Sequence, residues 1–375
     1  MDALILSCGT GGGHNSAAKA IKEELINRGC GAVTLNPYAL CGANTAGLID
    51  RTYIRLVQRF PKGFGFIYQL GELYRRLPFR SPVYFLNRKA AVHMREYLKS
   101  KKYDVVITTH LFPAEIMTQL KRGGNIPPTI FVATDYTCIP FTEETDCDAY
   151  VIPAKELIED FVEQGIPWNC IYPLGIPVQA AFRKSITCSE AKAALKLEKN
   201  IDYLLLSGGS MGAGKLPSIV NKLRALCNTN EQLIVICGSN KKLFKKLQKK
   251  HGNGIVLLES TDRMAEYIRA SKMYFTKPGG LSSTEAAVIG AALVHLPPIP
   301  GCETKNAKFF AEQGMSLSIK KTKNEVHQAI SLLGDAVKRN NMLYRQRKVI
   351  CADATEAICD LAQRMTIESS EEKKV

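Results

Sequence analysis

The sequence predicts an α/β protein made of two successive units, each an open parallel sheet covered by helices. Three observations carry this prediction. Short apolar runs of the buried-strand type alternate with stretches of helical periodicity along most of the 375 residues. Each half opens with the same device: a strand, a glycine-rich loop, then a helix. Between the halves, Tyr172-Pro173-Leu174-Gly175-Ile176-Pro177 interrupts both patterns. This length suits two or three domains of about 150 residues.

In the first half, residues 3–7 form a buried-type strand, and Gly9 to Gly13 supply the loop. Residues 15–27 place Ala17, Ala18, Ile21 and Leu25 at helical spacing, and Arg28-Gly29 ends the helix. Further strands are expected at 105–108, 129–132 and 150–152. The second half repeats the order. A strand at 203–206 leads into Ser207-Gly208-Gly209-Ser210-Met211-Gly212, and strands follow at 233–236, 255–258, 273–275 and 293–296.

No run of about 18 apolar residues is present, so no spanning helix is expected. The chain lacks a basic leader of the signal-peptide kind, and its 12 cysteines show no CxxC pair or metal spacing. They read as reduced thiols of a cytoplasmic protein. The charge is unusual: 50 Lys+Arg against 35 Asp+Glu, net +15. It is also regional. Residues 51–102 hold 13 Lys/Arg, interleaved with ten aromatics, and only Glu72 and Glu96 oppose them. Such a mixture suits the headgroup layer of anionic lipid, with Arg75, Arg76 and Arg80 as candidate contacts. Charge alone would admit a nucleic-acid binder, but no reader motif is found, so no nucleic acid is expected. The lysines of 241–250 read as a solvated helix face.

Glycine loops between a buried strand and a helix bring backbone N–H groups close to a ligand, which suits phosphate. Gly209 to Leu216 imitates a P-loop, but Leu216 stands where a Ser or Thr must hold Mg²⁺. Asp146-Cys147-Asp148 imitates a metal-binding acidic pair and reads instead as a solvated strand entry. More specific is the segment from Thr276-Lys277-Pro278-Gly279-Gly280-Leu281-Ser282 to Glu285-Ala286, which joins a strand to a helix. Its small residues can donate to a diphosphate, and a carboxylate one turn in can accept two ribose hydroxyls. Glu303 and Asn306, one helical turn apart, suit sugar hydroxyls.

Together with Gly11-Gly12-Gly13-His14, Thr134-Asp135-Tyr136, Met264-Ala265-Glu266 and Pro300 to Asn306, these residues make the chain resemble the family 28 glycosyltransferases. The likeness is greatest to the monogalactosyldiacylglycerol synthases and processive diacylglycerol glucosyltransferases. It implies a GT-B fold, two Rossmann-like domains facing across a cleft. The expected boundaries are 1–173 for an acceptor and membrane domain and 174–345 for a UDP-sugar domain. Residues 346–375 would form a helix crossing back to the first domain, plus a tail. Gly209, Ser210, Gly280, Leu281 and Ser282 would meet the diphosphate, backbone around Met264 the uracil, and Glu285 the ribose. Glu303 and Asn306 would hold the sugar.

The acceptor would lie near Gly12, Gly13, His110 and Glu115, with His14 as general base and Asp135 or Glu115 as fallback. The implied activity is inverting transfer of a hexose from UDP-glucose or UDP-galactose to diacylglycerol. It would take place peripherally on the inner face of the cell membrane, with no metal or cofactor. A polyprenyl-linked peptidoglycan intermediate as acceptor, or a UDP-sugar epimerase on the same fold, are the alternatives. Two departures stand out. Cys302 replaces a Gln common in relatives, and Val178-Gln179 supplies no Arg after Gly-Ile-Pro. The diphosphate charge then falls to backbone dipoles or to a lysine, Lys215 or Lys277.

Overall fold

The computed structural model describes residues 1–9, 12–42, 45–47, 61–75, 77, 79–124, 126–210, 212, 216–319 and 324–372. They form two compact units. One comprises Met1–Gln179, Pro300–Cys302 and Cys351–Val375; the other comprises Ala180–Ile299 and Glu303–Ile350.

The first unit carries strands β1 (Asp2–Leu6), β2 (Gly31–Leu35), β3 (Val105–Thr108), β4 (Thr129–Val132), β5 (Ala149–Val151) and β6 (Ile171–Tyr172). They form one parallel sheet in the order β2-β1-β3-β4-β5-β6. Every residue of β3 and β4 is buried, as a parallel sheet covered on both faces requires. Its helices include α1 (Gly12–Asn27), α2 (Pro61–Tyr74), α3 (Pro82–Leu86), α4 (Arg88–Ser100) and α5 (Leu111–Lys121).

On one face Ile5, Ile107 and Ile130 pack with Ile21 and Leu25 of α1 and with Ile358 and Leu361 of the C-terminal helix (Ala354–Glu372). Arg28 fastens that helix, donating to Asp360 and Gln363 while also pairing with Glu24. On the other face Leu4, Leu6 and Val106 meet Met94 of α4 and Met117 and Leu120 of α5.

The second unit carries β7 (Asp202–Ser207), β8 (Glu231–Ile236), β9 (Val256–Leu258), β10 (Ser271–Thr276), β11 (Leu293–His295) and β12 (Leu317–Ser318). All pairs are parallel, in the order β12-β11-β10-β7-β8-β9. Among its helices are α6 (Leu216–Leu226), α7 (Lys241–His251), α8 (Met264–Ala270), α9 (Gly280–Ile289) and α10 (Cys302–Glu312). Leu243 and Leu247 of α7 point inward and its six lysines are exposed, so that helix has the solvated basic face its sequence predicts.

These strand orders locate the ligand crevices. In an open parallel sheet the connections leave in opposite directions at one point, opening a gap at the carboxyl ends of the strands. In the first sheet that point lies between β1 and β3. In the second it lies between β7 and β10. The glycine loops after β1 and β7 therefore stand at the two places where a ligand enters such sheets.

Candidate active site

At the first switch point, Gly12 and Gly13 begin α1 and put His14 in its first turn. His14 Nδ1 lies 2.7 Å from the carbonyl oxygen of Thr109 and 2.8 Å from Thr134 Oγ1. The hydroxyl of Thr109 in turn donates to the His14 carbonyl at 3.0 Å. A carbonyl oxygen only accepts, so Nδ1 must carry the ring proton and Nε2 holds the lone pair. Burial lowers the pKa of this imidazole below its usual 6.5, while the charge of Asp135 opposes the shift. The ring is thus neutral at pH 7, basic at Nε2, and beside a carboxylate that favours the cation formed when it takes a proton. His14, Thr109, Thr134 and Asp135 line a cavity of about 10 Å³, room for roughly one water.

His110 stands beside His14. Its ring packs edge-on against His14, centroids 4.5 Å apart. Its Nδ1 accepts from Phe112 N–H at 3.1 Å and so caps α5. Burial and the neighbouring His14 hold its pKa well below 6.5. It caps the helix end and also lines the cavity at His14.

Glu115 stands apart from the residues that line the cavity at His14. It is fully buried in α5, accepts from Asn87 through Oε2, and leaves Oε1 without a partner. Burial, together with Glu144, pushes its carboxyl up to about 8. Asn87 also accepts from the Tyr38 hydroxyl. Ser81 donates twice to Glu144, from its amide at 2.6 Å and its hydroxyl at 2.7 Å. This polar network supports α3 and α4 from below and does not line the cavity at His14.

At the second switch point, Gly209 and Gly212 both adopt positive φ, +70° and +56°. A side chain on Gly212 would strike the carbonyl oxygen of Cys237 at 1.9 Å, so only glycine fits there. The loop is pinned by Ser239 N–H donating to the Ser210 carbonyl at 2.9 Å and by Asn240 donating to the Gly212 carbonyl at 3.0 Å. Across the gap, the hydrogen-bond ladder of α9 begins with Ser283 N–H donating to the Gly279 carbonyl at 3.0 Å. The amides of Gly280, Leu281 and Ser282 precede that ladder and point out of the helix start, the arrangement that favours anions.

Of the hydroxyls, Ser283 bonds the buried His295 at 2.9 Å and Thr284 bonds the Gly280 carbonyl at 2.8 Å. Only Ser282 stays partly exposed. Glu285, half-buried on α9, has its carboxyl pushed up to about 8 by burial. Met264 opens α8, beyond the carboxyl end of β9.

Both sugar-site candidates are engaged within the protein. Asn306 is fully buried and donates to the Pro278 carbonyl at 3.0 Å, so it braces the loop before α9. Glu303 accepts from Lys277 Nζ at 2.8 Å with one oxygen and from Ile299 N–H at 2.8 Å with the other. Lys215 lies outside the described residues. Asp146 and Asp148 both pair with Lys121, at 3.1 and 2.8 Å, and Asp148 also accepts from Thr129 N–H.

The membrane expectation changes in kind. Arg75 is 6% exposed at its side chain and grips Glu143 through two hydrogen bonds, 3.0 and 2.7 Å, so it faces the protein. Arg80 donates to the Glu144 carbonyl at 2.7 Å and stacks on the Tyr84 ring. Arg76 lies outside the described residues. What is exposed instead is apolar. Phe66, Ile67, Leu70 and Leu73 recur at helical spacing on α2 and project outward, 47–61% exposed. Leu77, Phe79, Phe85 and Leu86 are also exposed, all by about half or more. The inner side of α2 packs through Tyr74 on Phe141, ring centroids 6.2 Å apart. Exposed cations of the region, Arg88, Lys89, Arg95 and Lys99, lie on α4. No helix among the described residues is long and apolar enough to cross a membrane.

Residues 14–178 match the monogalactosyldiacylglycerol (MGDG) synthase family model, and residues 203–365 match the glycosyltransferase family 28 C-terminal domain. A processive diacylglycerol beta-glucosyltransferase of Bacillus subtilis (strain 168) is 25% identical over 95% of this chain and 93% of its own. Another so named, from Staphylococcus epidermidis, is 28% identical over 70% of this chain and 69% of its own. Among solved structures, Acinetobacter baumannii MurG superposes with a TM-score of 0.63 at 18% identity, covering 97% of this chain and 99% of its own. The UDP-GlcNAc 2-epimerase of Neisseria meningitidis gives 0.65 at 12%, covering 97% and 100%. The calicheamicin glycosyltransferase CalG4 gives 0.64 at 13%, covering 98% and 99%. These likenesses place the chain among GT-B folds.

Proposed function

Because this chain belongs to glycosyltransferase family 28, its first half of the monogalactosyldiacylglycerol synthase kind, we propose that it transfers a hexose from a UDP-sugar to diacylglycerol with inversion at the anomeric carbon. The observation that carries this reading is the agreement of both halves. An acceptor-type domain and a donor-type domain each match their family model, and relatives named for diacylglycerol glucosylation align along 95% of the chain. The donor is UDP-glucose or UDP-galactose.

The chemistry follows from the two switch points. The acceptor hydroxyl must lose a proton as it attacks, and His14 Nε2 takes it, Nδ1–H being held by the Thr109 carbonyl. Asp135 steadies the imidazolium that forms. The departing UDP gains negative charge, and the first-turn amides of α9 and the Gly209 loop meet it. Glu285 takes the ribose hydroxyls. Attack from the face opposite the leaving group turns an α-linked donor into a β-glycoside.

The acceptor is a lipid, and the exposed apolar sector of α2 supports peripheral attachment to the membrane that holds it. Such a face lies in the interface with its apolar side chains among the acyl chains. The cations of α4 add attraction to anionic headgroups.

Incubation with radiolabelled UDP-glucose or UDP-galactose and vesicles containing diacylglycerol tests the reading. Label should appear in a lipid-soluble β-hexosyl product. Isomerised free UDP-sugar with no labelled lipid would overturn it in favour of an epimerase.

A further inference from the structure

Buried Lys277 and half-buried Glu303 form an ion pair that neither sheet needs for its core. Lys277 follows β10 directly and is 7% exposed. Its Nζ lies 2.8 Å from Glu303 Oε1, and Glu303 Oε2 is held by Ile299 N–H at 2.8 Å. Both carboxylate oxygens are thus engaged within the protein, and the carboxylate is fixed at two points. The lysine reaches back over the glycine loop. A methyl group built on Gly209 would lie 3.5 Å from Lys277 Cε and 3.9 Å from Nζ. The ammonium therefore stands at the β7/β10 switch point, between the Gly209 turn and the first turn of α9. An ammonium has three N–H donors, and among the described residues Glu303 takes one. Burying a cation is costly unless its charge is used or paired, and a surface salt bridge would not require this depth.

We propose that Lys277 is the cation that meets the donor's diphosphate, and that Glu303 is a positioning residue that aims it rather than a ligand of the sugar. This rests on the UDP-sugar reading above. It also answers a gap in the sequence: no arginine follows the Gly-Ile-Pro segment, yet the leaving diphosphate needs a positive partner besides backbone dipoles. Glu303 prevents the long lysine chain from swinging into solvent. It leaves two donors for phosphate oxygens, a pre-aimed arrangement that costs little ordering when ligand binds. Lys277 touches substrate and acts directly; Glu303 acts through it.

Isothermal calorimetry with UDP and with uridine separates the possibilities, because uridine keeps the base and ribose but has no phosphate. In the wild type both should bind. Lys277→Met should weaken UDP about 10- to 100-fold, the scale of a charge-assisted hydrogen bond, and leave uridine within twofold. Lys277→Arg, which keeps the charge, should recover most of the loss. Glu303→Gln should weaken UDP several-fold with uridine unchanged, and should add no further loss in the Lys277→Met background.

Equal loss of UDP and uridine in Lys277→Met would mean a structural role and overturn the proposal, as would UDP affinity within twofold of wild type. Glu303→Gln that spares UDP but weakens UDP-glucose or UDP-galactose would restore Glu303 as a sugar ligand. A wild type that binds neither uridine nor UDP would remove the nucleotide reading itself, and this inference with it. Should Lys277→Met not fold, the Arg and Gln variants carry the same comparison.

Discussion

The outward apolar sector of α2 makes a quantitative prediction about membrane binding. Phe66, Leu70 and Leu73 are 60%, 47% and 61% exposed. Burying such a side chain completely contributes about 1.5–3 kcal/mol. Roughly half of each remains to be buried, so insertion gains about 1 kcal/mol per residue and about 3 kcal/mol for the three. The triple variant Phe66→Gln, Leu70→Gln, Leu73→Gln should lower vesicle partitioning on the order of 100-fold. Glutamine keeps helix propensity, so α2 should persist, and circular dichroism checks this. The assay is co-sedimentation with phosphatidylcholine vesicles, with and without anionic lipid, at low and high salt. Salt should remove the share due to Arg88, Lys89, Arg95 and Lys99 on α4 and spare the apolar share. If the triple variant partitions within threefold of wild type while salt alone abolishes binding, the attachment is electrostatic and the α2 reasoning fails.

Other expectations follow from single residues. Glu115 has its pKa raised to about 8 by burial, against an ordinary 4.5 unfolded. Its contribution to stability is therefore full below pH 4.5 and is lost as pH rises towards 8. Glu115→Gln should gain on the wild type by on the order of 3 kcal/mol between pH 5 and pH 8, read from urea unfolding at each pH; a pH-independent difference would contradict the buried carboxyl. His14→Ala should lower kcat by about 10²- to 10⁴-fold. In the wild type, kcat/KM should fall only below pH 6.5, the direction set by the buried imidazole; an acid limb centred above 7 would point to another base. Glu285→Ala should weaken uridine about tenfold, and because a carboxyl near 8 must ionise to accept two hydroxyls, wild-type uridine affinity should climb from pH 6.5 to 8. His110→Asn should retain the α5 cap, whereas His110→Ala should cost about 1 kcal/mol of stability by thermal unfolding.

The parts of the fold legible in the sequence were those where chemistry repeats along the chain. Buried parallel strands read as continuous apolar runs, so β3 and β4 fall where their residues predict. β2, β6 and β12 escaped. β2 is a half-exposed edge strand, and β6 and β12 have only two residues each. Glycine loops and the Thr276 to Ala286 segment declare themselves because backbone approach to a ligand restricts residue type. The proton on His14 could not be read, since it depends on a carbonyl 95 residues away, and a carbonyl has no sequence signature. Asn306 and Glu303 do lie one turn apart, but helical spacing says nothing about which of the two turns inward. Arg75 illustrates the same limit for charge. Composition counts it as a surface cation, whereas Glu143, 68 residues on, draws it into the protein.

The C-terminal helix has a consequence for how this chain is made. It supplies Ile358, Leu361 and Ala362 to the core of the first sheet, so the first unit is finished only by residues synthesised after the second. The second unit, by contrast, is continuous in sequence apart from three residues, and its segment leaves the ribosome earlier. The N-terminal half must therefore wait, with one sheet face covered only by α1, while the later half folds. During that interval this face and the apolar sector of α2 are both open to premature association. Truncation near residue 350 would not trim a tail; it would make that waiting state permanent.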